Sequence, residues 1–203
     1  MVAVIVGNGD VDAAIKNELP RNAYVICADG GMRHMEKLSL TPDIVIGDMD
    51  SYAGEIKDSE VIRYPVKKDF TDSEIAVLYA LENGFSEIVM VGLTGTRLDH
   101  TLTNLFLLKT ITEKGARGVI IDEKNKIYYA QRENEFAGIP GDIVSIIPVG
   151  GNVSGITTEG LEYPLKNETL EFGKSRGVSN VMTGYMCSIT IEKGTALIIK
   201  SKD

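Results

Sequence analysis

The stretch "PDIVIGDMDS", residues 42–51, begins as a hydrophobic strand and ends on two carboxylates one residue apart, Asp48 and Asp50. Its apolar part, "DIVIG" (43–47), is too short for a helix and lacks polar alternation, which is how a strand buried on both faces reads. The acidic part has two readings. Asp and Ser hydrogen-bond nearby backbone, so "GDMDS" suits a solvated turn. Two close carboxylates at a strand end also suit a divalent cation that is shared with phosphate oxygens.

Four more runs of the same kind flank it: "VAVIV" (2–6), "AYVICA" (23–28), "EIVMVG" (87–92) and "GVIID" (118–122). Helical patterns lie between them. "FTDSEIAVLYALENG" (70–84) opens with Thr71 and Glu74 in a capping-box relation and stops before Gly84, and "LDHTLTNLFLLKTITEKG" (98–115) stops before Gly115. Buried strands alternating with helices predict an α/β domain with a parallel sheet over residues 1–124. After about residue 125 the pattern becomes short β-rich runs divided by Gly, Pro and Asn: "KIYYAQ", "DIVSIIPV", "NVSGITT", "LEFG", "CSITI" and "ALIIK". These predict an antiparallel sandwich or barrel over 125–203, with the boundary in the charged stretch Glu123 to Glu135.

A net charge of −8, with no run of Lys and Arg, argues against nucleic acid as the main partner. An acidic chain that handles an anionic nucleotide needs a cation to screen its carboxylates. The N-terminal apolar run ends at Gly7, too short for a signal-peptide core or a membrane span. Cys27 and Cys187, the only two cysteines, are far apart and lack metal-ligand spacing, which suits reduced buried thiols in a cytoplasmic protein.

Ligands of open parallel sheets bind beyond the carboxyl ends of the strands. The expected strands end in "GNGD" (Gly7, Asn8, Gly9), "ADGG" (Asp29, Gly30, Gly31), "GDMDS" and "GLTGTRLDH" (Gly92, Gly95, Arg97, Asp99). A further acidic pair, Asp69 and Asp72 in "KKDFTD", precedes a helix, so five clusters should face one crevice. Each also has a plain structural role open to it. Asp72 suits the first turn of a helix for dipole reasons alone, worth about 0.3–1 kcal/mol; Arg97 suits a phosphate or an ion pair with Asp99. His100, with no Ser or Cys motif near it, reads as a packed or capping histidine. "GNG" lacks the third glycine of a dinucleotide fingerprint, and "GKS" (173–175) lacks the first glycine of a P-loop, since Glu168 stands there.

Taken together, "ADGG", "GDMDS", "DFTDSEIA", "GLTGTRLDHTLTNL" and the later "GLEYPL" and "LEFGKSRGVSN" resemble, in order and spacing, the thiamine pyrophosphokinase (thiamine diphosphokinase) family. The resemblance covers nearly the whole chain. It implies a Rossmann-like N-terminal catalytic domain, a C-terminal β-sandwich that helps bind thiamine, and a homodimer with the active site at the subunit interface. It implies transfer of pyrophosphate from ATP to the hydroxyethyl oxygen of thiamine, with Mg2+ on Asp48, Asp50 and Asp72. Asp29 and Asp99 are implied as acids that orient the metal ligands or the substrate, and Arg97 as a stabiliser of phosphate charge. Gly7, Asn8, Gly30, Gly31, Gly92, Gly95, Asp69 and Lys68 would lie on the nucleotide, Lys68 standing where some members carry Gln. Ser179 and Asn180 of "GVSN" would meet the thiamine ring, with an aromatic such as Tyr185 stacking on it because the chain has no Trp. Two other readings remain: a phosphatase of the haloacid dehalogenase type, whose Asp-x-Asp also follows a strand, and a non-catalytic thiamine or nucleotide binding module.

Overall fold

The computed structural model describes residues 1–47, 59–63 and 69–202 and divides the chain into two compact units, Met1–Glu123 and Lys124–Asp203. The first unit contains β1 (Val2–Val6), β2 (Tyr24–Ala28), α1 (Met35–Leu38), β3 (Ile44–Gly47), β4 (Glu60–Arg63), α2 (Asp72–Glu82), β5 (Glu87–Val91), α3 (Leu98–Glu113) and β6 (Arg117–Ile121). Its strands run parallel in the order β6-β5-β1-β2-β3-β4. The strand order therefore reverses between β1 and β5, the position where open α/β sheets leave a crevice.

The parallel sheet explains the unbroken apolar runs. Val4, Val6, Val25, Cys27, Val45 and Val91 join Ile15, Met35 and Leu38 in one core cluster. Strand residues of the other parity, among them Ile5, Ile26, Ile46 and Met90, are buried just as fully. Each such side chain is worth about 1.5–3 kcal/mol relative to exposure. α2 packs on β1, β2 and β3, and α3 on β6. The α2 start follows the capping-box expectation, with Thr71 Oγ1 accepting from the Glu74 N–H at 3.2 Å. The helices end at Gly84 and Gly115, both at positive φ.

Strands β4, β8 (Glu133–Ala137) and the two-residue β12 (Asn180–Val181) lie where the apolar pattern gave none. β4 is an edge strand whose residues are mostly exposed, so no hydrophobic run marks it. In the second unit, β8 begins inside the charged stretch expected to be a boundary, because it alternates exposed and half-buried residues.

The remaining elements of the second unit are β7 (Asn125–Tyr129), β9 (Ile143–Pro148), β10 (Val153–Glu159), β11 (Glu168–Leu170), β13 (Met186–Thr190) and β14 (Ala196–Ser201). They pair antiparallel in two groups, β12-β9-β14-β7 and β11-β10-β13-β8. One core draws on both groups: Val144, Ile146, Ala196 and Ile198 from the first, Val153, Ile156, Leu170, Cys187 and Ile189 from the second. Among the described residues no helix is long and apolar enough to cross a membrane.

Candidate functional site

The loops that follow β1 and β5 are locked together at the sheet's reversal point. The N–H groups of Gly7, Gly9 and Asp10 donate to the carbonyls of Val91 at 2.9 Å, Gly92 at 2.6 Å and Thr94 at 2.8 Å. A Cβ on Gly9 would lie 2.2 Å from the Thr94 carbonyl oxygen, so no other residue fits without moving backbone. Gly92 has φ +66° and meets the Gly7 carbonyl in the same way.

The chain leaving β2 turns at once into a short 3-10 helix, Asp29–His34. Asp29 takes φ +39°, a left-handed value that Asp tolerates better than most residues. It is buried, and its Oδ1 has no hydrogen-bond partner among the described residues. A buried acceptor left so costs about 1–3 kcal/mol. Its Cβ sits against Gly47, the last residue before Asp48, where an added Cβ would come within 2.7 Å.

From the same turn Arg33 reaches back to the β1 loop. Its Nη2 donates to the Asn8 carbonyl and, at 3.3 Å, to that of Gly9. His34 Nε2 lies 2.9 Å from the Gly9 carbonyl and 3.1 Å from Arg33 Nε, so one tautomer donates to the carbonyl and the other accepts from the guanidinium. Burial holds His34 below the usual imidazole range, so it is neutral at pH 7.

These loops and the starts of α2 and α3 enclose a crevice of about 740 Å³, lined on one side by Asn8, Asp10, Asp29 and Arg33. Phe70, Thr71 and Asp72 line it at α2, and Thr94, Gly95, Arg97, His100, Thr101 and Asn104 at α3. Asn104, buried inside α3, donates from Nδ2 to the Leu93 carbonyl at 2.9 Å and fixes the loop before the helix. Arg97 and Asp99 form an exposed pair, with Nη2 to Oδ2 at 2.6 Å. The guanidinium holds the Asp99 carboxyl down to about 2.

The sequence-marked residues thus divide. Asn8, Asp29, Asp72, Gly92, Gly95 and Arg97 line one crevice. Gly7, Gly30 and Gly31 sit outside its lining: an added Cβ would strike Leu93, the Asn8 side chain and the Val6 carbonyl, respectively. Asp69 is exposed, and Asp99 faces Arg97. Asp48, Asp50 and Lys68 lie outside the described residues. Among those described, no three carboxylate, His or Cys side chains gather closely enough to hold a metal. Asp10, Thr101 and Asn104 fall inside the quoted stretches "GNGD" and "GLTGTRLDHTLTNL" without being singled out there, and Arg33 lies just beyond "ADGG".

In the second unit, Asn180 opens β12 and ties down Tyr163, 17 residues earlier, instead of pointing free. Its Oδ1 accepts from the Tyr163 N–H at 3.0 Å and its Nδ2 donates to the Tyr163 carbonyl at 2.7 Å. Ser179 has φ +59° and donates its N–H to Ser145 Oγ at 3.0 Å. Asn180 lines a second cavity, about 510 Å³, with Ile146, Glu162, Tyr163, Arg176 and Val178. Tyr185 is exposed. Cys27 and Cys187 are free and buried, and burial pushes the Cys27 thiol up to about 12.

A parallel sheet with a polar crevice at its strand ends, followed by an antiparallel domain with its own cavity, defines a two-domain protein with an α/β crevice-bearing unit and a β unit. Models of the thiamin pyrophosphokinase catalytic domain and of the thiamin pyrophosphokinase vitamin B1 binding domain match residues 15–120 and 124–196. The chain belongs to the thiamin pyrophosphokinase family. Thiamine pyrophosphokinase of Bacillus subtilis is 29% identical over 147 residues, which are 69% of this chain and 66% of that protein. Thiamin pyrophosphokinase 1 of Caenorhabditis elegans is 27% identical over 175 residues, 79% of this chain and 72% of that protein. The crystal structure of the Bacillus subtilis thiamine pyrophosphokinase superposes with a TM-score of 0.91 at 25% identity, covering 100% of both chains.

Proposed function

We propose that the protein is a thiamine diphosphokinase that transfers the pyrophosphoryl group of ATP to the hydroxyethyl oxygen of thiamine, giving thiamine diphosphate and AMP. The observation that carries this is the pairing of two matches. The unit with the polar crevice is matched by the catalytic family model, and the unit with the Asn180 cavity by the vitamin B1 binding model. No comparable observation favours the phosphatase or the binding-module reading.

In this reading the first unit works as a Rossmann-like nucleotide domain and the second as a thiamine-binding β-sandwich. ATP lies across the β1 and β5 loops, beside Asn8, Gly92 and Gly95, with Asp69 and Lys68 near its phosphates. The thiamine hydroxyl oxygen attacks the β-phosphorus. The bond from that phosphorus to the α–β bridging oxygen breaks, AMP leaves with the oxygen, and the hydroxyl proton passes to a crevice carboxylate. The chain's task is to hold the two substrates in line and to balance charge. Arg97 meets phosphate charge as it develops, and Asp29 and Asp99 orient the reacting groups. Ser179 and Asn180 shape the thiamine side.

Mg2+ fits the donor set, since Asp72 and the buried Asp29 oxygen that has no partner among the described residues are hard oxygen donors. Asp48, Asp50 and Asp72 would hold it, and it would neutralise the pyrophosphate and screen the acids. The same reading carries a homodimer with the active site at its interface, and a cytoplasmic location that suits two free thiols.

Incubation with ATP, Mg2+ and thiamine, followed by chromatography, tests the reading. AMP and thiamine diphosphate in equal amounts, both lost with EDTA, are expected. Thiamine left unchanged while phosphomonoesters are hydrolysed would overturn it in favour of the phosphatase.

A further inference from the structure

The loop after β1 has its main chain satisfied from two sides. Its N–H groups at Gly7, Gly9 and Asp10 go to the β5 side of the sheet. Its carbonyls go to the segment after β2: Asn8 and Gly9 to Arg33, Gly9 to His34, and Val11 to Lys37 Nζ at 2.5 Å. Three side chains within five residues therefore hold three carbonyls within four residues. The spacing follows from the 3-10 turn and α1, which bring positions 33, 34 and 37 toward β1.

This arrangement has a chemical consequence for the crevice. A loop carbonyl facing a phosphate would repel it, and here the carbonyls of Asn8 and Gly9 are bound to cationic or neutral donors of the chain itself. With the backbone held on both sides, the loop presents Asn8, Gly9 and Asp10 to the crevice in one fixed arrangement. Gly9 permits this only because its missing Cβ lets the loop lie against Thr94. Arg33 also lines the crevice, so the residue that holds the loop carbonyls borders the same space as the loop.

We propose that Arg33, with Lys37 and His34 beside it, is a positioning residue that fixes the β1 loop for nucleotide binding, the three side chains together holding the carbonyls of Asn8, Gly9 and Val11. The proposal rests on the nucleotide site read above, and it makes a statement about the ligand-free chain as well. Arg is suited to the position because its planar fork can span two neighbouring carbonyls, which the point charge of Lys cannot.

The test uses the full chain and has two parts. Amide hydrogen exchange of the ligand-free protein reads the clamp without reference to activity. In Arg33→Ala the Gly9 and Asp10 amides are expected to exchange at least tenfold faster, while α3 amides keep their rates. Lys37→Met should speed exchange at the same loop, which guards against a fold defect peculiar to the first variant. Unchanged loop exchange in both variants overturns the proposal. Steady-state kinetics then separate positioning from general damage. Arg33→Ala should raise KM for MgATP about tenfold with KM for thiamine unchanged, and Arg33→Lys should recover only part of it. An equal rise in both KM values, or full recovery with Lys, would count against the fork. If the wild-type protein makes no thiamine diphosphate, the functional reading fails while the exchange result still decides the clamp.

Discussion

The two units build their cavities by different means. In the first, every strand runs the same way, so the loops after β1, β2 and β5 emerge at one edge and their polar residues meet without any long-range design. The cost is local: Asp29 has a left-handed backbone and a buried oxygen without a partner among the described residues, and Gly9 and Gly92 are in backbone contact. In the second unit the strands are antiparallel and their loops leave at both ends. Its cavity is shaped by single side-chain bonds such as Asn180 to the Tyr163 backbone, over walls that include Ile146 and Val178. The first is a charged site with a buried acceptor left open among the described residues; the second has its own left-handed residue, Ser179 at φ +59°, but its Asn180 is fully engaged.

The contrast is broken most severely at the carboxylates. Asp72→Asn keeps the side chain's size at the start of α2, and turnover is expected to fall roughly 10²–10³-fold, as when a preorganised charge is removed from an active site. Stability should change little, by about 0.3–1 kcal/mol from the helix dipole. Full activity in this variant, measured beside its melting curve, would remove the carboxylates from the mechanism.

Glycines sharpen the comparison next. Gly9→Ala must displace the Thr94 carbonyl and should cost about 1–3 kcal/mol together with activity. Gly150→Ala, at φ +77° with open space around it, should cost about 1–2 kcal/mol from its left-handed backbone alone and leave turnover intact. Melting temperatures and initial rates of the two variants, compared side by side, check the pair.

Asn180→Ala removes two bonds to Tyr163 and one from the Val181 N–H at the start of the half-buried β12. A loss of about 1–2 kcal/mol is expected. KM for thiamine should rise and KM for ATP should not, since the bonds shape the second unit's cavity only. A calorimetric titration with each substrate decides it.

The smallest effect belongs to Asp99. Its carboxyl is held at about 2 against an ordinary 3.8 by Arg97, so the pairing stabilises the fold above the ordinary value and is lost as pH falls through the lower one. Both side chains are largely exposed, so salt screens the pair and stability barely responds. NMR titration of Asp99 should nonetheless move its midpoint up toward 3.8 in Arg97→Gln.

Much of the first unit was legible because a parallel sheet writes itself as unbroken apolar runs, and the Thr71 to Glu74 cap marks where α2 begins. The edge strand β4 and the alternating β8 were not, since exposed or half-buried strands lack such runs. At the site, Asn8, Asp29, Asp72 and Arg97 were legible from their place at strand and helix ends. Asp10 and Asn104 sat inside quoted motifs whose glycines and charged pair drew the reading instead, and Arg33 was not legible, because only the fold of the segment after β2 brings it there. Gly30 and Gly31 show the limit of the letter: a glycine that lets a ligand approach and one that lets Asn8 or Val6 approach read alike.

The central claim is that the nucleotide gives up two phosphates in one step at the β-phosphorus. ATP labelled with 32P at the β position, incubated with Mg2+ and thiamine, tests it most directly. The label should appear wholly in thiamine diphosphate, with unlabelled AMP as the other product. Label retained in ADP, or released as inorganic phosphate, would contradict the account.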